Sequence, residues 1–168
     1  MSPDHETCLV EILDEQDLFT VDTEKIRTLC DLIMEDYGIR TGRIGIVLVD
    51  DDTIQQYNRD FLQHDFATDV ISFPMERRLD AGHLEAEILA CTGVAQRRAS
   101  EFGWSPEDEL VLYVVHGLLH AVGLDDIADE DRAEMRVKER EYLAKIEITV
   151  PDWDCFDWDD DSDSEHEA

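Results

Sequence analysis

His116 and His120 stand four residues apart in an otherwise apolar run, Leu110-Val-Leu-Tyr-Val-Val-His-Gly-Leu-Leu-His-Ala-Val-Gly-Leu124. On a helix, residues i and i+4 share one face, so both imidazoles can reach one point. The segment is apolar nearly all the way round, the pattern of a buried helix. Two imidazoles buried together are costly unless something satisfies them, and a metal ion does so. Backbone carbonyls are the alternative partners for two core histidines.

The residues that follow extend the pattern to His-x3-His-x2-Gly-x2-Asp. Gly123 can take the left-handed conformation that ends a helix and turns the chain back. Asp126 then lies where a returning chain can offer a third ligand, with Asp125 one residue earlier. Zinc accepts His nitrogen and carboxylate oxygen at about 2.0–2.2 Å, and catalytic zinc keeps three protein ligands and one open position. Such an ion activates water for attack on a peptide carbonyl or a phosphodiester. Peptidases of the His-Glu-x2-His type carry their general base directly after the first histidine. Here that position is Gly117, which counts against proteolysis. Phosphodiester cleavage needs a cation at the phosphate, and Arg59 is a candidate because guanidinium pairs with phosphate oxygens through two parallel bonds.

The elements that must position these groups can be read in order. Leu9–Leu13 is predicted as a strand, Thr20–Tyr37 as a helix stopped by Gly38, and Arg43–Val49 as a β-branched strand. Asp50, Asp51 and Asp52 cap a helix running to about Leu62. Asp69–Phe73 is a strand that Pro74 should end, and Glu85–Cys91 is another. Gly93–Phe102 is helical up to Gly103. Ser105 and Pro106 supply a cap oxygen and a first-turn proline for the helix that carries the histidines. Asp129 to about Lys145 forms a polar, amphipathic final helix. These elements predict an α/β (α+β) fold: a small mixed β-sheet of about four strands with packed helices, the metal-binding helix near the C-terminal half.

The 168 residues suit a single domain over 1–150, followed by an acidic tail over 151–168 expected to be disordered, with Trp153, Phe156 and Trp158 interleaved. No stretch is long and apolar enough to span a bilayer and no secretory leader is evident, so a cytoplasmic location without membrane association is expected. Cys8, Cys30, Cys91 and Cys155 are widely spaced and give neither a zinc-ribbon nor a disulfide pattern. The formal charge is −29. Residues 1–36 and 151–168 together hold 18 of those negative charges, while Arg40, Arg43, Arg59, Arg77, Arg78, Arg97 and Arg98 fall in the middle of the chain. An arginine-lined groove inside an acidic shell is compatible with this distribution. Binding to a polyanion should nevertheless be weaker and more salt-sensitive than for a basic protein.

Three stretches resemble the YbeY family of bacterial rRNA-maturation endoribonucleases. They are Tyr57-Asn-Arg59 followed by Thr68-Asp-Val-Ile-Ser-Phe-Pro74, the strand Glu85-Ala-Glu-Ile-Leu89, and His116-Gly-Leu-Leu-His-Ala-Val-Gly-Leu-Asp-Asp126. The resemblance spans roughly residues 9–147. It implies one Zn(2+) per chain, single-stranded ribosomal RNA as substrate, and a role at the 3′ end of the small-subunit RNA and in ribosome quality control. By position it assigns His116, His120 and Asp126 to the metal, with His116 and Arg59 as catalytic residues. Arg59, Thr68 and Ser72 fall to the substrate cleft, beside Asp69. Ala86 stands where the family usually has Gly, Leu124 where it has Tyr, and Asp126 where it has a third histidine. An aspartate ligand brings negative charge to the metal and makes it a weaker Lewis acid. Recruitment by a ribosomal small-subunit protein would bring so acidic a chain to its RNA. The other readings are a zinc metallopeptidase whose base is Glu85 or Glu87, and a non-catalytic ribosome-assembly factor with a structural zinc.

Overall fold

The computed structural model describes residues 8–62, 69–124 and 128–150. Among them are four strands, β1 (Leu9–Asp14), β2 (Thr41–Val49), β3 (Val70–Arg78) and β4 (His83–Cys91). Five α-helices accompany them: α1 (Thr23–Asp36), α2 (Asp51–Tyr57), α3 (Thr92–Phe102), α4 (Pro106–Ala121) and α5 (Asp129–Lys145). This is the mixed α/β architecture expected from the sequence. The strands lie in the order β1-β2-β4-β3, with β1, β2 and β4 parallel and β3 antiparallel to β4.

One face of the sheet is apolar and covered. Ile44, Ile46 and Leu48 of β2 and Leu84, Ala86 and Ile88 of β4 are buried there, at the alternate positions that share a face of a pleated strand. α4 packs on β3 and β4 and meets α1, α3 and α5 on its other sides. Its residues from Glu109 to Leu119 are all buried, which explains a segment that is apolar all round. The opposite face carries Glu11, Arg43, Glu85 and Glu87.

The start of α4 follows its sequence signals. Ser105 Oγ accepts from the Asp108 N–H at 3.0 Å, and Pro106 occupies the first helical position. α1 begins later than Thr20, because the Asp22 carboxylate caps it by accepting from the Glu24 and Lys25 N–H groups. The helix from Asp51 ends at Tyr57, and the chain continues as a π-helical turn over Asn58–Leu62.

Pro74 does not end its strand. β3 runs on to Arg78, with the register shifting between Pro74 and Glu76. β3 is an edge strand, where a proline without an N–H is tolerated, and the shift absorbs the irregularity. At the other edge, Arg27 of α1 donates to the Val10 carbonyl at 2.6 Å.

Two positions of α4 control its seat. Gly117 lies on the sheet so closely that a Cβ there would stand 3.0 Å from Ile88 Cγ2 and 3.2 Å from Val70 Cγ2. Glu109 is fully buried and accepts from Trp104 Nε1 at 2.7 Å. Burial pushes its carboxyl up to about 7, against the opposing pull of the Trp104 bond. Cys8, Cys30 and Cys91 are buried free thiols, and no helix of the described residues is long and apolar enough to cross a membrane.

Gly117→Ala should destabilise the protein by about 1–3 kcal/mol in urea unfolding, through overpacking against Ile88 and Val70. Glu109 holds its proton more tightly folded than unfolded, so its contribution to stability falls as pH rises from about 4.5 to about 7 and levels off above that. Glu109→Gln removes this slope. The stability difference between variant and wild type, followed by urea titration at pH 5 and pH 7.5, should grow in favour of the variant at the higher pH.

Candidate metal centre

The two histidines occupy the last two turns of α4, where the helix leaves the interior. His116 is 9 % exposed and His120 is half-buried. Their ring centroids are 4.7 Å apart and the rings cross at 80°. Each ring is held from outside by its Nδ1 atom. His116 Nδ1 lies 2.6 Å from Glu139 Oε2, a carboxylate of α5 with no exposed surface. His120 Nδ1 lies 3.1 Å from the carbonyl oxygen of Leu124. A carboxylate and a carbonyl accept, so both Nδ1 atoms are donors, and in the neutral ring Nε2 is the ligand atom. A ring anchored through Nδ1 is the arrangement in which proteins fix metal-ligating imidazoles.

The turn after α4 is part of this construction. Gly123 has φ +111°, which lets the Leu124 N–H bond back to the Leu119 carbonyl and brings the Leu124 carbonyl under His120. Arg77 of β3 closes the same end. Its Nε donates to the Ala121 carbonyl at 2.9 Å and its Nη2 to the His120 carbonyl at 3.3 Å. A cation at a helix C-terminus is favourable for the helix dipole as well as for the open carbonyls.

Ser72 reaches the same helix: its hydroxyl donates to the Gly117 carbonyl at 3.1 Å, joining β3 to α4 between the two histidines. Its oxygen keeps lone pairs with which to accept. Asp69 begins the same stretch; its carboxylate accepts from the Val70 N–H and has Arg98 at 3.9 Å. Arg59 is exposed, on the π-helical turn that follows α2. Thr68, Asp125 and Asp126 lie outside the described residues, as does the segment 151–168. Of the remaining central arginines, Arg43 pairs with Glu11, Arg78 with Glu76 and Arg97 with Asp51. Together with Arg77 and Arg98, these guanidinium groups are engaged within the fold.

The residues present fit a divalent ion. Two imidazoles stand on adjacent turns with their rings 4.7 Å apart, and buried Glu139 holds one of them by its Nδ1. Its Oε1 has no hydrogen-bond partner among the described residues. Sequence reasoning missed Glu139 and Arg77. For Glu139 the signal was available: with Met135, Tyr142 and Leu143 it lies on the buried face of α5, where a carboxylate needs a partner.

Comparison with known proteins places the chain. The family model for endoribonuclease YbeY matches residues 11–147. Endoribonuclease YbeY of Rhodopirellula baltica is 47 % identical over 116 residues, a match covering 68 % of this chain and 59 % of that protein. The chain thus spans less than two thirds of that relative's length. Endoribonuclease YbeY of Salinibacter ruber is 34 % identical over 132 residues, 75 % of this chain and 84 % of the relative. The solution structure of TM1509 from Thermotoga maritima superposes with a TM-score of 0.58 at 26 % identity, covering 95 % of this chain and 97 % of that one. An α/β domain whose buried helix delivers two anchored histidines is thus matched along most of its length. The chain belongs to the YbeY family.

Glu139→Gln keeps the shape of the side chain and loses its charge. The expected outcome is zinc affinity weakened by roughly 10–100-fold, measured by competition with a chromophoric chelator, with a circular dichroism spectrum like that of the wild type.

Proposed function

We propose that this protein is a zinc-dependent endoribonuclease that cleaves single-stranded ribosomal RNA in the cytoplasm, acting at the 3′ end of the small-subunit RNA and in ribosome quality control. The observation that carries the reading is the pair of adjacent imidazoles of His116 and His120, held through Nδ1 by Glu139 and Leu124, in a chain whose relatives are named as endoribonucleases.

In this reading His116, His120 and Asp126 hold one zinc ion. When bound, zinc supplies Lewis acidity and lowers the pKa of water for phosphodiester hydrolysis. The protein's own groups do the rest. Arg59 holds the phosphate and offsets the charge that develops on its oxygens. Ser72 and Thr68 line the path of the RNA strand. Glu139 holds the His116 ring through Nδ1, which would present Nε2 as the ligand atom. Arg77 keeps the end of α4 closed, so that His120 and the turn at Gly123 hold their place.

The metallopeptidase reading lacks support in the geometry. That reading takes its base from Glu85 or Glu87, and both alternate with the buried Leu84, Ala86 and Ile88, so they lie on the face of the sheet away from α4 and its histidines. A small-subunit ribosomal protein is the proposed partner that brings this acidic chain to RNA, because few of the central arginines are left to attract a polyanion.

Purified protein should cleave a single-stranded RNA oligonucleotide and leave casein intact. Substituting His120→Ala should lower RNA cleavage by roughly a hundredfold or more, and Arg59→Ala by roughly 10²–10³-fold with zinc content unchanged. Casein cleavage abolished by His120→Ala would move the activity to peptides. Full ribosome maturation in a strain carrying only Arg59→Ala would leave a scaffold with structural zinc.

A further inference from the structure

We propose a second divalent-cation site, on the opposite face of the sheet, formed by Glu76 of β3 with His83 and Glu85 of β4. It is independent of the reading given to His116 and His120. Among the described residues these three side chains form a group of metal-ligand type whose donor atoms all lie within 4.8 Å of one another. In the β3–β4 ladder Glu76 is opposite Glu85 and Arg78 opposite His83. Leu84, between His83 and Glu85, points into the core. The cluster therefore faces away from α4.

The histidine carries the argument. His83 Nε2 is shielded from solvent and makes no hydrogen bond among the described residues. It stands 3.4 Å from Glu85 Oε2 and 3.6 Å from Glu76 Oε1. Neither carboxylate has closed to the N–H···O distance of about 2.8 Å that marks a charge-assisted hydrogen bond. An unprotonated lone pair facing two carboxylate oxygens is repelled by both. The observed separations match a third arrangement: donors about 2.1 Å from a shared tetrahedral ion are roughly 3.4 Å apart.

Two of the ligands are held in the required orientation. His83 Nδ1 is 2.8 Å from Thr41 Oγ1, whose hydroxyl also lies 3.5 Å from the Gly82 carbonyl. A hydroxyl that donates to Gly82 accepts from Nδ1 and leaves Nε2 as the ligand atom. Arg78 Nε engages Glu76 Oε2 at 3.1 Å, which leaves Oε1 toward His83. One nitrogen and two carboxylate oxygens suit zinc, with water at the remaining position, and the half-exposed glutamates admit the ion from solvent. A bound ion would tie the two strands of the hairpin across the register shift. That hairpin carries Arg77, which holds the carbonyl end of α4.

The test is zinc stoichiometry and affinity on the full chain, by calorimetric titration of metal-free protein with zinc alone. Measurements run in parallel on wild type, His120→Ala, His83→Ala and Glu76→Gln, with circular dichroism to establish folding. The proposal expects two zinc equivalents in wild type. His83→Ala should lose one and keep the other, and Glu76→Gln should weaken the same one by at least about tenfold. Zinc should also shift the His83 ring resonances of the wild type in nuclear magnetic resonance spectra. One equivalent in wild type, lost in His120→Ala and untouched by His83→Ala and Glu76→Gln, overturns the second site and leaves the histidine-pair centre standing. One equivalent lost only in His83→Ala and Glu76→Gln supports the second site and removes the first. No binding in wild type overturns both.

Discussion

A helix with apolar side chains on every side has to be enclosed on every side, and α4 imposes that requirement on the chain. The sheet covers one flank, and α1, α3 and α5 cover the others. The enclosure fixes where polar groups can survive. Within α4 the polar side chains past the first turn are Tyr113, His116 and His120, and the two histidines lie where the helix reaches the surface. Full burial of Glu139 is tolerable because it meets His116; a carboxylate in that position without a partner would cost several kcal/mol, about the penalty of an uncompensated buried charge. The two imidazoles are thus positioned by the core, and their geometry is as rigid as the packing around them.

Much of the fold could be read from local signals. Ser105 and Pro106 mark the start of α4, Gly38 and Gly103 end helices, and the β-branched run before Asp50 marks β2, because each is a contact between near neighbours. The misses are tertiary. Pro74 ends a strand by its local chemistry, but at the edge of a sheet its missing N–H removes no ladder bond that a neighbour requires. The helix predicted from Thr20 starts at Thr23, because the carboxylate of Asp22 decides where the first turn closes.

The candidate site divides in the same way. The His-x3-His spacing is local to one helix, so the side-by-side placing of the two rings was legible in the sequence. Glu139 lies 23 residues from His116 and Arg77 lies 43 from His120, and no short motif joins such distances. The cluster of Glu76, His83 and Glu85 depends on which residues face each other across a hairpin. That register contains a shift that the sequence does not announce. The central arginines show the same limit: the carboxylates and helix carbonyls that most of them meet are supplied by tertiary structure and are not legible in the charge pattern.

The two borders of the sheet carry a consequence of a different kind. An exposed border strand is a template on which another chain can continue the ladder, and such growth leads to filaments and aggregates. Here β1 has its outer Val10 carbonyl taken by the Arg27 guanidinium, while β3 presents Pro74 and a break in register. An incoming strand would find an acceptor already occupied on one side and a donor missing on the other. The same proline that misled the reading of β3 thereby helps to keep the sheet four strands wide at high protein concentration.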